Sequence, residues 1–175
     1  MFLRVISQNQ DNLDATRVLI ERIQHSSLNK LWRAHPFPFD VRSVPTFTQF
    51  LADNNPIVRE RTCKILSCDK ELALSCPIIN LLPNGEPSFV RAAAIEVLGK
   101  FNPPGSGPAL IKVLSTAREP GIRQAAAEAL GQIEDPTSIE ALRKAAKDRK
   151  RKVRAEAEKA LRLIDGKNSA KGASA

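Results

Sequence analysis

A chain of 175 residues with 42% hydrophobic and 26% charged side chains can bury one core or a short array of stacked units, which excludes a multidomain assembly. Aromatics amount to 5%, with one Trp and no Tyr, so Leu, Ile, Val and Ala must build the interior, and that favours an all-α fold over sheets. The net charge of +8 admits an acidic partner, nucleic acid or an anionic surface, and discriminates among them only once it is located along the chain.

The opening stretch MFLRVISQNQDN holds one basic residue and an apolar run too short for a signal peptide, and no window approaches a membrane span, so a soluble, cytoplasmic protein is expected. Residues 11–24, DNLDATRVLIERIQ, place Leu13, Val18, Leu19 and Ile23 behind an N-cap at Asp11 or Asn12 and predict an amphipathic helix. Further on, Trp32, Phe37 and Phe39 stand beside Pro36 and Pro38, which stop a helix. Residues 1–43 are read as a divergent helical cap over the open end of the units that follow, a docking site being the alternative.

From residue 44 the sequence repeats. The dipeptides Val58-Arg59, Val90-Arg91, Ile122-Arg123 and Val153-Arg154 and the leucines Leu66, Leu98, Leu130 and Leu161 recur at intervals that by subtraction are 32, 32 and 31. Four places after each leading Val or Ile stands a small residue (Thr62, Ala94, Ala126, Ala157), and an apolar one precedes each leucine (Ile65, Val97, Ala129, Ala160). Positions 0, +4, +7 and +8 form one helical stripe. A second apolar segment precedes each such helix: PTFTQFLADN, CPIINLLPNG, PALIKVLSTA and SIEALRKAAKD, with Pro56, Pro87, Gly105, Pro120 and Pro136 at the joints. Two helices per step of about 32 residues predict an α-solenoid of about four helical hairpins over residues 44–165. The tail 166–175, GKNSAKGASA, has no apolar side chain larger than Ala and is expected to be disordered.

Cys63, Cys68 and Cys76 are odd in number and spaced unlike a zinc ribbon, and His25 and His35 lie well upstream, so reduced thiols and no metal are expected. Gly-rich phosphate loops, nucleophile elbows and HExxH helices are lacking, and no cofactor is expected.

Residues 120–148, PGIRQAAAEALGQIEDPTSIEALRKAAKD, resemble the HEAT-like repeat first associated with phycobilin lyases; PSFVRAAAIEVLGKF is a second copy, and NPIVRERTCKIL and RKVRAEAEKALRLI are weaker ones. The resemblance implies that the helices opening with Val-Arg line the concave side. The positions between the buried stripe then face a partner: Arg61 and Lys64, with Glu60, Cys63 and Cys68, in the first unit; Ala92, Ala93, Ile95, Glu96 and Lys100 in the second; Gln124, Ala125, Glu128 and Gln132, with Ala127, in the third; and Ala155, Glu156, Glu158 and Lys159 in the last. A small, partly apolar middle with mixed charge suits the approach of a protein helix or loop.

The recurrent Arg59, Arg91, Arg123 and Arg154 form a ladder whose role as a brace against Asp53, Glu86, Glu119 or Asp148 is favoured over an anion-binding row. The basic excess gathers in RKAAKDRKRKVR, residues 143–154, with Lys147, Arg149, Lys150, Arg151 and Lys152 around Asp148. That cluster fits an acidic partner, a phosphate backbone or a solubilising turn. The expected function is noncatalytic protein binding or assembly through the concave face. A phycobilin lyase-like activity is the enzyme alternative, and nucleic-acid binding is disfavoured by the absence of interleaved aromatics. HEAT-like hydroxylases that hold two irons use His-Glu pairs, and this sequence has none.

Overall fold

In the computed structural model, which describes residues 13–22, 44–68 and 70–172, every regular element is helical. The order is α1 (Leu13–Arg22), α2 (Val44–Leu51), α3 (Pro56–Leu66), α4 (Lys70–Ser75), a 3-10 turn (Ile78–Leu81), α5 (Ser88–Phe101), α6 (Ser106–Thr116), α7 (Pro120–Ile133), a second 3-10 turn (Pro136–Ser138), α8 (Ile139–Ala145) and α9 (Arg151–Gly172). Helices α1, α3, α5, α7 and α9 stack side by side as one row, while α2, the first 3-10 turn, α6 and α8 each pack on the helix that follows them and form the second. The chain is an α-solenoid.

Local chemistry sets the joints. Asn55 caps α3, its side chain accepting from the Ile57 N–H at 3.0 Å, with Pro56 as the first helical residue. Helices α5 and α7 end on left-handed residues, Asn102 (φ 47°) and Glu134 (φ 55°), whose N–H groups return to the Leu98 and Leu130 carbonyls. These equivalent reversals give successive units the same geometry. The segment CPIINLLPNG departs from the expected helix because Pro77 and Pro83 bracket it, leaving room only for the 3-10 turn Ile78–Leu81.

The predicted stripe is the core. Val58, Thr62, Ile65 and Leu66, then Val90, Ala94, Val97 and Leu98, then Ile122, Ala126, Ala129 and Leu130 are buried, followed by Val153, Ala157 and Ala160, whereas Leu161 of the last unit is only half-buried. The buried arc is wider than the stripe, however. Cys63, Ile95 and Ala127, at the same place in three units, are at most 1% exposed, and Ala93 is also buried. Helices α3, α5 and α7 each pack on their own outer element and on two inner neighbours, so only a narrow strip of each meets solvent.

Glycine sets how closely the inner row packs. A Cβ built on Gly99 lies 2.8 Å from the Ala129 Cβ, and one on Gly131 lies 2.9 Å from the Ala160 Cβ. Both distances are below contact, so the crossings of α5 with α7 and of α7 with α9 require the bare backbone. Clefts instead open along the outer row, between α6 and α8 (Ile111, Leu114, Ala141 and Ala145) and between the first 3-10 turn and α6 (Ile79, Leu82, Ala109 and Val113). Helices α3, α5, α7 and α9, which the repeat resemblance implies line the concave side, are the closely packed row.

At the N-terminal end α1 buries Thr16 and Ile20 against α3. The cap residues Trp32, Phe37 and Phe39 lie outside the described residues. At the other end α9 is continuous through Gly172 and extends into the 166–175 segment read as a disordered tail. Among the described residues no helix is long and apolar enough to cross a membrane.

Candidate partner-binding face

The ladder of arginines borders this face. Arg17 of α1 donates through Nε and Nη2 to Asp53 at 2.6 and 3.0 Å. Arg59 gives the same two nitrogens to Glu86 at 3.0 and 2.7 Å, and Arg123 gives them to Asp148 at 2.7 and 3.1 Å. Arg91, buried to 1%, reaches Glu119 through Nη1 at 2.9 Å and the Leu82 carbonyl through Nε at 3.0 Å. In each rung an arginine on one inner helix holds an acidic side chain just before or at the entry to the next, so the charges tie neighbouring units together instead of binding a ligand. Arg17 is a rung that the repeat pattern does not show, because its interval to Arg59 is 42 by subtraction and Thr16 stands where the other units have Val or Ile.

The rungs leave an electrostatic signature. The hydrogen bonds from Arg17 and Arg123 hold the Asp53 and Asp148 carboxyls below the usual aspartate range. The Glu119 carboxyl is lowered by its own backbone N–H and then by Arg91. Cys63 and Cys76 are buried, and desolvation pushes the Cys76 thiol up to about 11 and the Cys63 thiol further, so both stay protonated as core residues.

Between α5 and α7 the inner row opens into a shallow groove of about 400 Å³ lined by Ala92, Ile95, Glu96, Ala125, Glu128, Ala129 and Gln132. Six of the residues expected to face a partner line it, namely Ala92, Ile95, Glu96, Ala125, Glu128 and Gln132, and the others lie elsewhere. Ala93 and Ile95 do not project outward: both are buried by the packing of α5 against its inner neighbours, although the edge of Ile95 reaches the groove floor. Cys63 and Ala127 are enclosed for the same reason. Arg61 lies at the α1 end, where it donates to the Ile20 carbonyl at 3.3 Å. Lys64 pairs with Glu60, and Lys100 donates to the Ser67 carbonyl at 2.7 Å and sits over the Phe101 ring. Gln124 is half-buried on α7 outside the groove lining, whereas Gln132 is exposed at its edge.

These engagements change the charge of the surface. The lysines and arginine of the first two units are held by internal partners, whereas the exposed Glu96 and Glu128, at the same place in successive units, form no ion pair among the described residues. The groove thus has an alanine floor between two available carboxylates. Lys147, Arg149 and Lys150 on the turn joining α8 to α9, and Arg151 and Lys152 at the start of α9, are all exposed.

Residues 77–162 match the family of HEAT repeats. Human deoxyhypusine hydroxylase, solved in complex with glycerol, is similar with a TM-score of 0.63 and 23% identity over 94% of this chain and 62% of that one. An engineered protein is similar with a TM-score of 0.56 and 18% identity, covering 86% of this chain and 71% of its own. No curated protein matches the sequence. Residues 77–162 are thus HEAT-like repeats, and the chain spans about 62% of the length of the hydroxylase to which it is similar in fold.

Proposed function

We propose that this protein is a noncatalytic binding scaffold that takes a segment of a partner protein in the groove between α5 and α7. The observation that carries this reading is the pairing of a small-residue floor, Ala92, Ala125 and Ala129, with two exposed carboxylates, Glu96 and Glu128, neither of them in a close ion pair among the described residues, Glu128 feeling only the more distant charge of Lys159. Alanine lets a partner backbone approach closely, and the carboxylates select a segment carrying Lys or Arg. Phosphate would be repelled by the same pair, which counts against a nucleic-acid track on this face. A phycobilin lyase-like role draws on the repeat resemblance alone, since no aromatic ring lines the groove to stack a tetrapyrrole. Hydroxylase chemistry of the kind named for the human neighbour finds no His-Glu pair in this sequence.

The test is affinity capture from the native cell with quantitative mass spectrometry, comparing the parent chain with Glu96→Lys/Glu128→Lys and with Lys112→Glu on the outer row. Both sets of side chains are exposed, so folding is retained. The proposal expects captured proteins to fall about tenfold or more with the groove variant and to persist with the outer one. Equal recovery on all three would refute it.

A further inference from the structure

Arg59 and Arg123 are held in one way. Each gives Nη1 to two carbonyls of the turn before its helix, Asp53 and Asn54 at 2.5 and 3.2 Å for Arg59, Ala117 and Arg118 at 3.0 and 2.9 Å for Arg123. The other edge of the guanidinium, Nε with Nη2, then faces the acidic side chain of the next unit. Arg154 repeats the first half of this arrangement, with Nη1 on the Asp148 and Arg149 carbonyls at 2.9 and 3.2 Å. Its second edge meets no carboxylate among the described residues. Asp148, the acidic residue beside it, is taken by Arg123 and by the Lys150 N–H at 2.8 Å.

We propose that Arg154 is an open socket for a carboxylate, and that the turn joining α8 to α9 binds an acidic segment of a partner protein there. The guanidinium is already oriented by the two carbonyls, so the fork costs little to order when a carboxylate arrives. Around it Arg149, Lys150, Arg151 and Lys152 are exposed and form no ion pair among the described residues, which supplies attraction for further acidic side chains of the same segment. An aspartate or glutamate in the place that Glu86 and Asp148 occupy on earlier rungs matches the planar fork with two parallel hydrogen bonds. This surface is separate from the groove between α5 and α7, and the two fail independently: groove variants leave it intact.

The experiment titrates the full chain with a labelled short Asp/Glu-rich peptide, its Asn/Gln counterpart, and oligouridylate of matching charge, reading fluorescence anisotropy at physiological salt. The acidic peptide is expected to bind, its neutral counterpart not to, and oligouridylate to bind more weakly. Arg154→Lys, which keeps the charge but loses the fork, is expected to weaken the peptide about tenfold. On the unsubstituted protein the Arg154 Nε–Hε resonance should shift during the titration, a readout that survives if the variant folds poorly. Absence of peptide binding, tighter binding of oligouridylate, unchanged affinity in Arg154→Lys, or a motionless Nε–Hε signal would each overturn the assignment.

Discussion

Gly99 and Gly121 are both helical glycines, yet the structure assigns them opposite roles. A methyl group at Gly99 would lie 2.9 Å from the Ala129 backbone, which cannot retreat without separating α5 from α7, whereas at Gly121 nothing lies within 4 Å. Gly99→Ala should therefore cost about 1–3 kcal/mol, and Gly121→Ala should gain about 0.5 kcal/mol from helix propensity. Thermal melts of the two variants check the difference in sign. Arg91 is similarly legible in energy: its guanidinium is buried and holds the Leu82 carbonyl as well as Glu119, so Arg91→Ala leaves a cavity and an unpaired acceptor. A loss of about 2–4 kcal/mol is expected in denaturant unfolding.

The rung carboxylates add a pH dependence at this scale. Asp53 and Asp148 are depressed in the folded chain, chiefly by their hydrogen bonds from Arg17 and Arg123. Groups of this sign contribute stability that is fully present above the unfolded aspartate value near ~4 and is lost as pH falls through the folded value. Asp148→Asn should lower the melting temperature at neutral pH and flatten its fall below about pH 4. Melting curves across that range provide the check.

At the scale of elements, the repeat step was readable because the 0, +4, +7, +8 stripe survives in each unit, and the braces were readable because Arg and acidic residues recur beside it. What failed was the assumption of one buried side per helix. An inner helix of a stack has neighbours on three sides, so Ala93 and Ile95, placed outside by a single-stripe argument, are inside. No periodicity within one helix reports a lateral neighbour; the glycines at 99 and 131, each opposite a small residue of the next unit, were the available signal. Helix α1 was legible as amphipathic but not as part of the row, since the Arg17–Asp53 rung that joins it depends on a contact across 36 residues. That rung can be cut locally. Asp53→Asn should raise amide exchange in residues 13–22 by about tenfold while α5 and α7 keep their protection, as expected when one terminal element opens by itself.

Over the whole molecule, charge is divided more sharply than the total of +8 conveys. The groove between α5 and α7 presents Glu96 and Glu128, and the α8–α9 turn with the start of α9 presents Lys147, Arg149, Lys150, Arg151 and Lys152. A stack of units braced internally leaves such surfaces free to differ in charge without altering the frame, because only exposed positions vary. Both charge groups stand in the sequence, but which of their charges remain without a close partner depends on Lys64, Lys100 and Asp148 finding partners within the fold. The most direct measurement of the central claim is amide exchange of this chain with and without a partner recovered by the capture experiment. The account predicts added protection in α5 and α7, lost in Glu96→Lys/Glu128→Lys; protection confined to α6 and α8 on the outer row would contradict it.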